Sequence, residues 1–229
     1  MIRWPTGRAA EGEMKMNTAL AVGVPRGLLH FTAADGARWV ARLAEAEFGG
    51  VNAGVWFFAG EPVRVPAPGR KGVEAWADDW LDQGTPGERM RGVYPDNAVR
   101  RLLEKQAFRD TYALRLAPTL EAVLDASASL EGHTVAVVLL TEAPADGAAV
   151  VSTLKRASRY PLFWVFIGAG ASGDESCYLG VLDTLGDEPE DPANLTVLKV
   201  DNWSSVTQWF TARRVRRAVD RWRRATPTG

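Results

Sequence analysis

The sequence predicts one α/β domain of three layers, in which a doubly wound, mainly parallel sheet lies between helices. Two short apolar runs rich in β-branched residues, Thr134–Leu140 and residues 162–167, flank a helical stretch at residues 146–159. Two such strands joined by one helix form a βαβ unit, whose strands are parallel and buried on both faces. The same alternation of strands and helices runs through the rest of the chain, which gives the fold class.

The first half of the chain supplies the other side of this sheet. Residues 18–24 read as the first strand, and residues 35–48 as a helix with Asp35 as its N-cap and two glycines at its end. Residues 51–59 form the next strand, and a short turn leads into an antiparallel edge strand at Pro62–Val65. The inward face of the first helix is expected to carry Trp39, Leu43 and Ala46.

Helices and one strand account for the remaining segments. Helical spacing of apolar residues predicts helices over 71–83, 96–105, 118–129, 176–185 and 205–225, and a last strand over 195–200. Residues 186–194 read as an acidic loop.

Composition indicates an ordinary globular protein. The chain has 229 residues, 46% of them hydrophobic, and a formal net charge of −1. Residues 1–16 are polar and read as a disordered leader, and residues 17–225 read as a single domain. A single cysteine, Cys177, excludes an internal disulfide, and no apolar run is long enough for a signal peptide or a membrane span. A reducing, cytoplasmic location follows as an expectation.

Three short signatures carry a resemblance to a known family. They are Val55-Trp56-Phe57-Phe58, Leu139-Leu140-Thr141-Glu142 and the run PLFWVFIGAG at residues 161–170. Together with the order of elements over residues 17–225, they resemble a von Willebrand factor A-type (vWA) domain, in the form found in bacterial tellurium-resistance and stress proteins. The resemblance implies a non-enzymatic protein-interaction module, with a bacterial stress or conflict role and an ATPase among its conceivable partners.

The resemblance also implies a divalent-cation site, from which this chain departs. The site takes oxygen ligands from three places at the C-terminal ends of strands. Here the first turn, residues 23–27, has no carboxylate or hydroxyl and contains Arg26. In the second place, residues 113–118, a leucine stands where a threonine is expected, although Thr111 lies nearby; the third place keeps an acid, Glu142. We therefore expect no cofactor, and Thr111 and Glu142 are the ligands left for a residual Mg²⁺ site.

The same strand-end surface supplies the candidate partner-binding residues Arg26, Gly27, Arg115 and Glu142. On this interpretation, Arg26 takes part of the place of the metal and meets a partner carboxylate directly in a bidentate ion pair.

An enzymatic alternative rests on Glu142 or on the turn at residues 168–173. That turn matches G-x-G-x-x-G between an apolar strand and a helical stretch, a pattern typical of a dinucleotide site. Asp174 and Glu175, which follow it, would repel the phosphates. This alternative predicts saturable binding of a nucleotide or a cation.

Other motifs have simpler interpretations. Residues 125–129 match the Asp-x-Ser-x-Ser metal motif but fall at the end of a helix, where capping hydroxyls are expected. His30, His133 and Cys177 lack catalytic neighbours in the sequence and are expected to be structural.

The C-terminal segment offers a third function. Residues 213–224 hold seven arginines, among them Arg213 and Arg217, against one acid. Val215, Val219 and Trp222 form an apolar stripe that would dock the helix and leave a basic face. The basic face could simply be solvated, or it could contact nucleic acid or an acidic protein surface. The net charge of the chain, which is near zero, argues against a dedicated nucleic-acid binder.

Overall fold

A computed structural model describes residues 16–23, 31–68, 72–81, 114–169, 179–185, 192–200 and 204–226. Several sequence expectations lie outside these ranges. They are residues 1–15 of the leader, the helix at residues 96–105, residues 186–191 of the acidic loop, and Arg26, Gly27, His30, Thr111 and Cys177.

Within the described residues, six strands form one sheet in the order β3-β2-β1-β4-β5-β6. They are β1 (Asn17–Gly23), β2 (Gly54–Phe58), β3 (Pro62–Val65), β4 (Thr134–Leu140), β5 (Leu162–Ala169) and β6 (Leu195–Val200). Neighbouring strands are parallel except for the β2–β3 pair, which is antiparallel. This confirms the predicted mainly parallel sheet with one antiparallel edge strand. β4 and β5 are buried along their whole length, as apolar strands covered on both faces must be.

Five α-helices cover the two faces of the sheet in the described part of the chain. They are α1 (Phe31–Phe48), α2 (Gly72–Leu81), α3 (Ala117–Ala128), α4 (Gly147–Ala157) and α5 (Ser205–Ala225). Side chains of α1, α2 and α5 share one core, and those of α3 and α4 share the other. Because side chains alternate along a strand, Leu20 and Val22 enter the first core whereas Ala19 and Ala21 enter the second. None of these helices has the length and apolar character that crossing a bilayer requires.

The first helix corrects two expectations. α1 begins at Phe31, so Asp35 lies inside the helix and is not its N-cap. A short polar residue before an apolar repeat marks a helix start only when the preceding residues cannot continue the helix, and Thr32, Ala33 and Ala34 can. Trp39 and Leu43 are buried, but Ala46 is exposed. Ala46 lies in the last turn of α1, next to the exposed Glu45.

The predicted helix at residues 176–185 is also wrong in its described part. Only a single 3₁₀ turn, Gly180–Asp183, is present there. Gly180 has a φ of 61°, a left-handed conformation that prevents an α-helix from running through this position. The Asp183 carboxylate accepts a hydrogen bond from the Leu179 amide and fixes this turn locally.

Candidate interaction surface at the strand ends

The C-terminal ends of the parallel strands meet at one edge of the sheet, where open α/β sheets bind their ligands. We define the strand-end edge as three described segments, residues 59–61 after β2, 114–116 before α3, and 141–146 after β4. Two sequence-predicted binding residues, Arg115 and Glu142, lie on it.

Residues 114–116 cross the end of the central strand β1. The Arg115 amide donates to the Ala59 carbonyl at 2.7 Å, and the Ala145 amide donates to the Leu114 carbonyl at 2.8 Å. The segment therefore joins the ends of β2 and β4, between which β1 lies. At this end the neighbouring strand packs closely on Gly23, the last residue of β1. A Cβ added at Gly23 would lie 3.2 Å from the Leu139 carbonyl oxygen.

Arg115 projects from this fixed segment into solvent. Leu114 and Leu116 on either side of it are buried and hold the backbone in place. The Arg115 guanidinium lies 3.6 Å from the Glu61 carboxylate, and the two side chains are 50% and 60% exposed. An ion pair this exposed contributes little free energy, so Arg115 can exchange Glu61 for a carboxylate of a partner.

Asp146 is the residue that holds the edge together. Its two carboxylate oxygens accept hydrogen bonds from the amides of Leu116 and Ala117, each at 2.9 Å. Pro118 has no amide hydrogen, and the Thr119 amide donates to the Leu116 carbonyl at 3.0 Å. Asp146 thus satisfies the amides left open at the start of α3, and its negative charge suits the positive end of the helix dipole.

The backbone of Asp146 also caps the start of a second helix. Asp146 is the N-cap of α4, and its carbonyl accepts from the Val150 amide at 3.1 Å, while its side chain makes no cap bond to α4. One residue therefore couples the starts of α3 and α4. From the sequence, Asp146 could be placed only at a helix start, because its side-chain partners lie about 30 residues away. Pro118 in the first turn of α3 signalled a helix start but did not indicate what caps it.

The described residues of this edge offer few side-chain oxygens that converge on one point. Both oxygens of Asp146 are already used by amides. Glu142 is half-buried, and the Thr141 hydroxyl is buried without a hydrogen-bond partner among the described residues. Within the same residues, no three His, Cys, Asp or Glu side chains converge on one point.

Gly168 does not form the turn that a dinucleotide site needs. It lies inside β5, where it pairs with Leu140 and Lys199. A Cβ at Gly168 would lie 2.8 Å from Leu179 Cδ1, so the glycine is explained by the close packing of Leu179 on the strand. Gly168 is therefore part of the strand and not of the predicted turn at residues 168–173. The rest of the motif, including Gly170 and Gly173, lies outside the described residues.

The Asp-x-Ser-x-Ser match at residues 125–129 is a helix end, as expected. The Ser127 hydroxyl donates to the Val123 carbonyl at 2.7 Å, and the Ser129 hydroxyl to the Ala126 carbonyl at 2.9 Å. This end of α3 leads into the start of β4, so it lies at the opposite edge of the sheet from residues 141–146.

Arg213 and Arg217 lie on α5, away from residues 114–116, and both are exposed. The predicted stripe is confirmed, since Val215, Val219 and Trp222 are buried beneath the helix. The predicted partner-binding residues within the described ranges therefore divide between two surfaces.

His133 has the structural role that the sequence suggested. It is buried, and its Nε2 lies 2.7 Å from the Thr226 carbonyl, which can only accept, so Nε2 carries the hydrogen. Its ring meets Trp222 edge-on at 4.9 Å. His133 precedes β4, so the last turn of α5 is fixed at the edge opposite to the strand ends.

No family model matches the sequence, and no curated protein matches it significantly. Among solved structures, the chain is similar to BatB, a conserved hypothetical protein from Bacteroides thetaiotaomicron. The TM-score is 0.50 at 13% identity over 90% of this chain and 99% of that chain. It is also similar to proximal thread matrix protein 1 of the mussel byssus, with a TM-score of 0.50 at 10% identity over 90% of this chain and 47% of that chain. These likenesses show the fold alone, which is the vWA-like α/β architecture.

Proposed function

We propose that this vWA-like domain is a non-enzymatic protein-interaction module that binds a partner through its strand-end edge. The observation that carries the proposal is the rigid crossing segment at residues 114–116. It is held by backbone hydrogen bonds on both sides and by Asp146, and it presents Arg115 to solvent. A side chain on a fixed backbone loses less freedom on binding, which favours its use for recognition.

The chemistry of the edge suits a partner with a carboxylate. Arginine forms paired, charge-assisted hydrogen bonds with carboxylates, in a geometry that lysine cannot match. Glu142 adds a negative charge to the same edge, so the surface offers a pattern of both signs rather than a uniformly charged patch. Such patterns select partners and orient them more than they raise affinity.

We further propose that this recognition needs no cation or other cofactor. Arg26 follows the end of β1 in the sequence and brings a positive charge to the place where the resemblance expects cation ligands. The nearby carboxylate of Asp146 serves as a helix cap instead. On this proposal Arg26 and Arg115 together replace the metal as the electropositive part of the edge.

The setting of this function is also a proposal. The resemblance to bacterial tellurium-resistance and stress proteins favours a role in a cytoplasmic stress or conflict system, with a component such as an ATPase as partner. A single cysteine is consistent with a reducing compartment.

The test is partner capture from a lysate of the source organism, with the full chain as bait and quantitative mass spectrometry as readout. The baits are wild type, Arg115→Glu, Arg26→Glu and the control Arg159→Glu. Arg159 is exposed in the turn between α4 and β5, at the opposite edge of the sheet. We expect the same proteins to be lost with Arg115→Glu and Arg26→Glu and retained with Arg159→Glu. Capture that is identical for all four baits would refute the proposal.

A further inference from the structure

The first two turns of α5 expose large apolar side chains. Val206, Trp209 and Phe210 are 63%, 46% and 56% exposed. In the rest of the described chain, only Tyr160 among the large apolar and aromatic residues is similarly exposed. Scattered single residues of this kind are ordinary on a protein surface, but three adjacent on one helix form a patch that suits an interaction site.

The patch continues into arginines on the same side of the helix. Val206, Phe210, Arg213 and Arg217 follow one another at intervals of four, three and four residues, which places them on one face. α5 is docked on the sheet by the opposite face. We call Val206, Trp209, Phe210, Arg213 and Arg217 the outer face of α5.

The aromatic end of this face is ordered by its own contacts. The Trp209 and Phe210 rings meet edge-on with centroids 4.9 Å apart. The Arg213 guanidinium lies 5.3 Å from the centroid of the Trp209 ring, within the range of a cation–π contact. These contacts hold the three side chains in place before any partner arrives.

The arginines of the outer face have no carboxylate partner among the described residues. On the flank of the same helix, Arg216 does have one, since its Nε lies 3.3 Å from Glu47. Arg213 and Arg217 form no ion pair within the described part of the chain, so their charge is available to a partner.

From these observations we infer that the outer face of α5 is a docking surface for an acidic segment of another protein that carries apolar anchor residues. The anchors would pack on Val206, Trp209 and Phe210, and the carboxylates would pair with Arg213 and Arg217. Tryptophan and arginine are among the residues most enriched at the positions that dominate the free energy of protein interfaces. This surface is separate from the strand-end edge and can bind a different partner.

Other occupants fit the face less well. A second copy of the chain would bring another row of arginines to the interface, with Asp220 the one acid between residues 205 and 225 to offset them. A bilayer is bound by helices that are apolar along a whole face, whereas here the apolar residues occupy only the first two turns. Single-stranded nucleic acid stacks its bases on open rings, and one face of Trp209 is already taken by Arg213.

The test uses the full chain and a fluorescent amphipathic peptide of leucine and glutamate, with leucines at helical spacing, as the probe. A peptide with lysine in place of glutamate is its control. We expect the glutamate peptide to bind and the lysine peptide not to bind, with affinity falling as salt is added. Trp209→Ala/Phe210→Ala and Arg213→Glu/Arg217→Glu should each weaken binding at least about tenfold. Tyr160→Ala and Arg159→Glu, which change an exposed aromatic and an exposed arginine elsewhere, should leave it unchanged.

Several results would overturn the inference. They are equal affinity for the two peptides, no binding below about 1 mM, or full binding by both double variants. Binding of phosphatidylserine vesicles or single-stranded RNA in place of the peptide, lost in the same variants, would assign the face to that ligand instead. A concentration-dependent dimer abolished by Trp209→Ala/Phe210→Ala would assign it to a second copy. Arg115→Glu should retain peptide binding, so this inference and the proposed function fail separately.

Discussion

A single residue, Asp146, links three elements that meet at the strand-end edge. Its side chain caps α3, its backbone opens α4, and it follows the loop that leaves β4. This arrangement fixes the segment from which Arg115 projects. The geometry of the edge thus depends on an interaction between residues distant in sequence.

Replacement of Asp146 by alanine should lower the free energy of unfolding by about 1 kcal/mol, within the range of about 0.5–2 kcal/mol for the loss of a helix cap. Asp146→Asn should cost less, because the amide oxygen still accepts one hydrogen bond. Urea unfolding followed by circular dichroism measures both. Asp125→Asn, at an exposed position near the end of α3, is the control and should be neutral. A neutral Asp146→Ala would show that solvent caps α3 equally well.

Gly168 is a second position where one residue type is required. Gly168→Ala should destabilise the fold by about 1–3 kcal/mol, because the added methyl overlaps the side chain of Leu179. The double variant Gly168→Ala/Leu179→Ala should be less destabilised than the sum of the two single changes. Thermal or urea unfolding of the four proteins gives this coupling. If the two changes are strictly additive, the stability lost in Gly168→Ala does not come from overlap with the Leu179 side chain.

At the scale of elements, ion pairs connect α1 and α2 across the surface. Arg38 pairs with Asp78 at 3.0 Å, and Arg42 donates a hydrogen bond to Glu74. The hydrogen bond from Arg42 is the main cause that lowers the pKa of the Glu74 carboxyl; burial opposes it, and the charges of Arg42 and Arg38 reinforce it.

This lowered pKa gives a prediction for the acid side. A carboxyl whose pKa is lower in the folded state stabilises the fold above its unfolded pKa, and that contribution is lost as the pH falls through the folded pKa. Glu74→Gln should therefore be less stable than wild type near neutral pH, and the two should converge below the folded pKa. The difference should be small, because the Glu74 side chain is 60% exposed to solvent. Urea unfolding between about pH 7 and about pH 3 measures it, and a constant difference across this range would contradict the assignment.

Local periodicity accounts for what could be predicted of the elements. β4, β5 and the stripe of Val215, Val219 and Trp222 were predicted because burial repeats along the strand or helix itself. The start of α1 and the turn at Gly180 were not, since each depends on a few residues whose backbone states the sequence leaves open. The role of Asp146 was missed for a different reason, because nothing near it in sequence reveals the amides that it binds.

For the whole molecule, the topology determines where the outer face of α5 lies relative to the strand-end edge. β6 ends at the strand-end edge, and α5 begins five residues later at Ser205 and returns to the opposite edge, where His133 meets Thr226. The aromatic end of α5 therefore lies toward the strand ends and its last turn lies away from them. The vWA-like fold was predictable from the order of elements, whereas the surface on Trp209 and Phe210 was not, because apolar residues in a helix usually face the core.

We propose that the strand-end edge is held by protein groups and recognises proteins without a cation. The most direct test is the thermal unfolding midpoint of the purified chain in chelator and then with Mg²⁺, Mn²⁺ or Ca²⁺ added. A ligand that binds only the folded state raises this midpoint with its concentration. We expect no shift with any of the three cations, for wild type and for Glu142→Ala alike. A clear shift in wild type that Glu142→Ala abolishes would contradict the claim and show a working cation site at this edge.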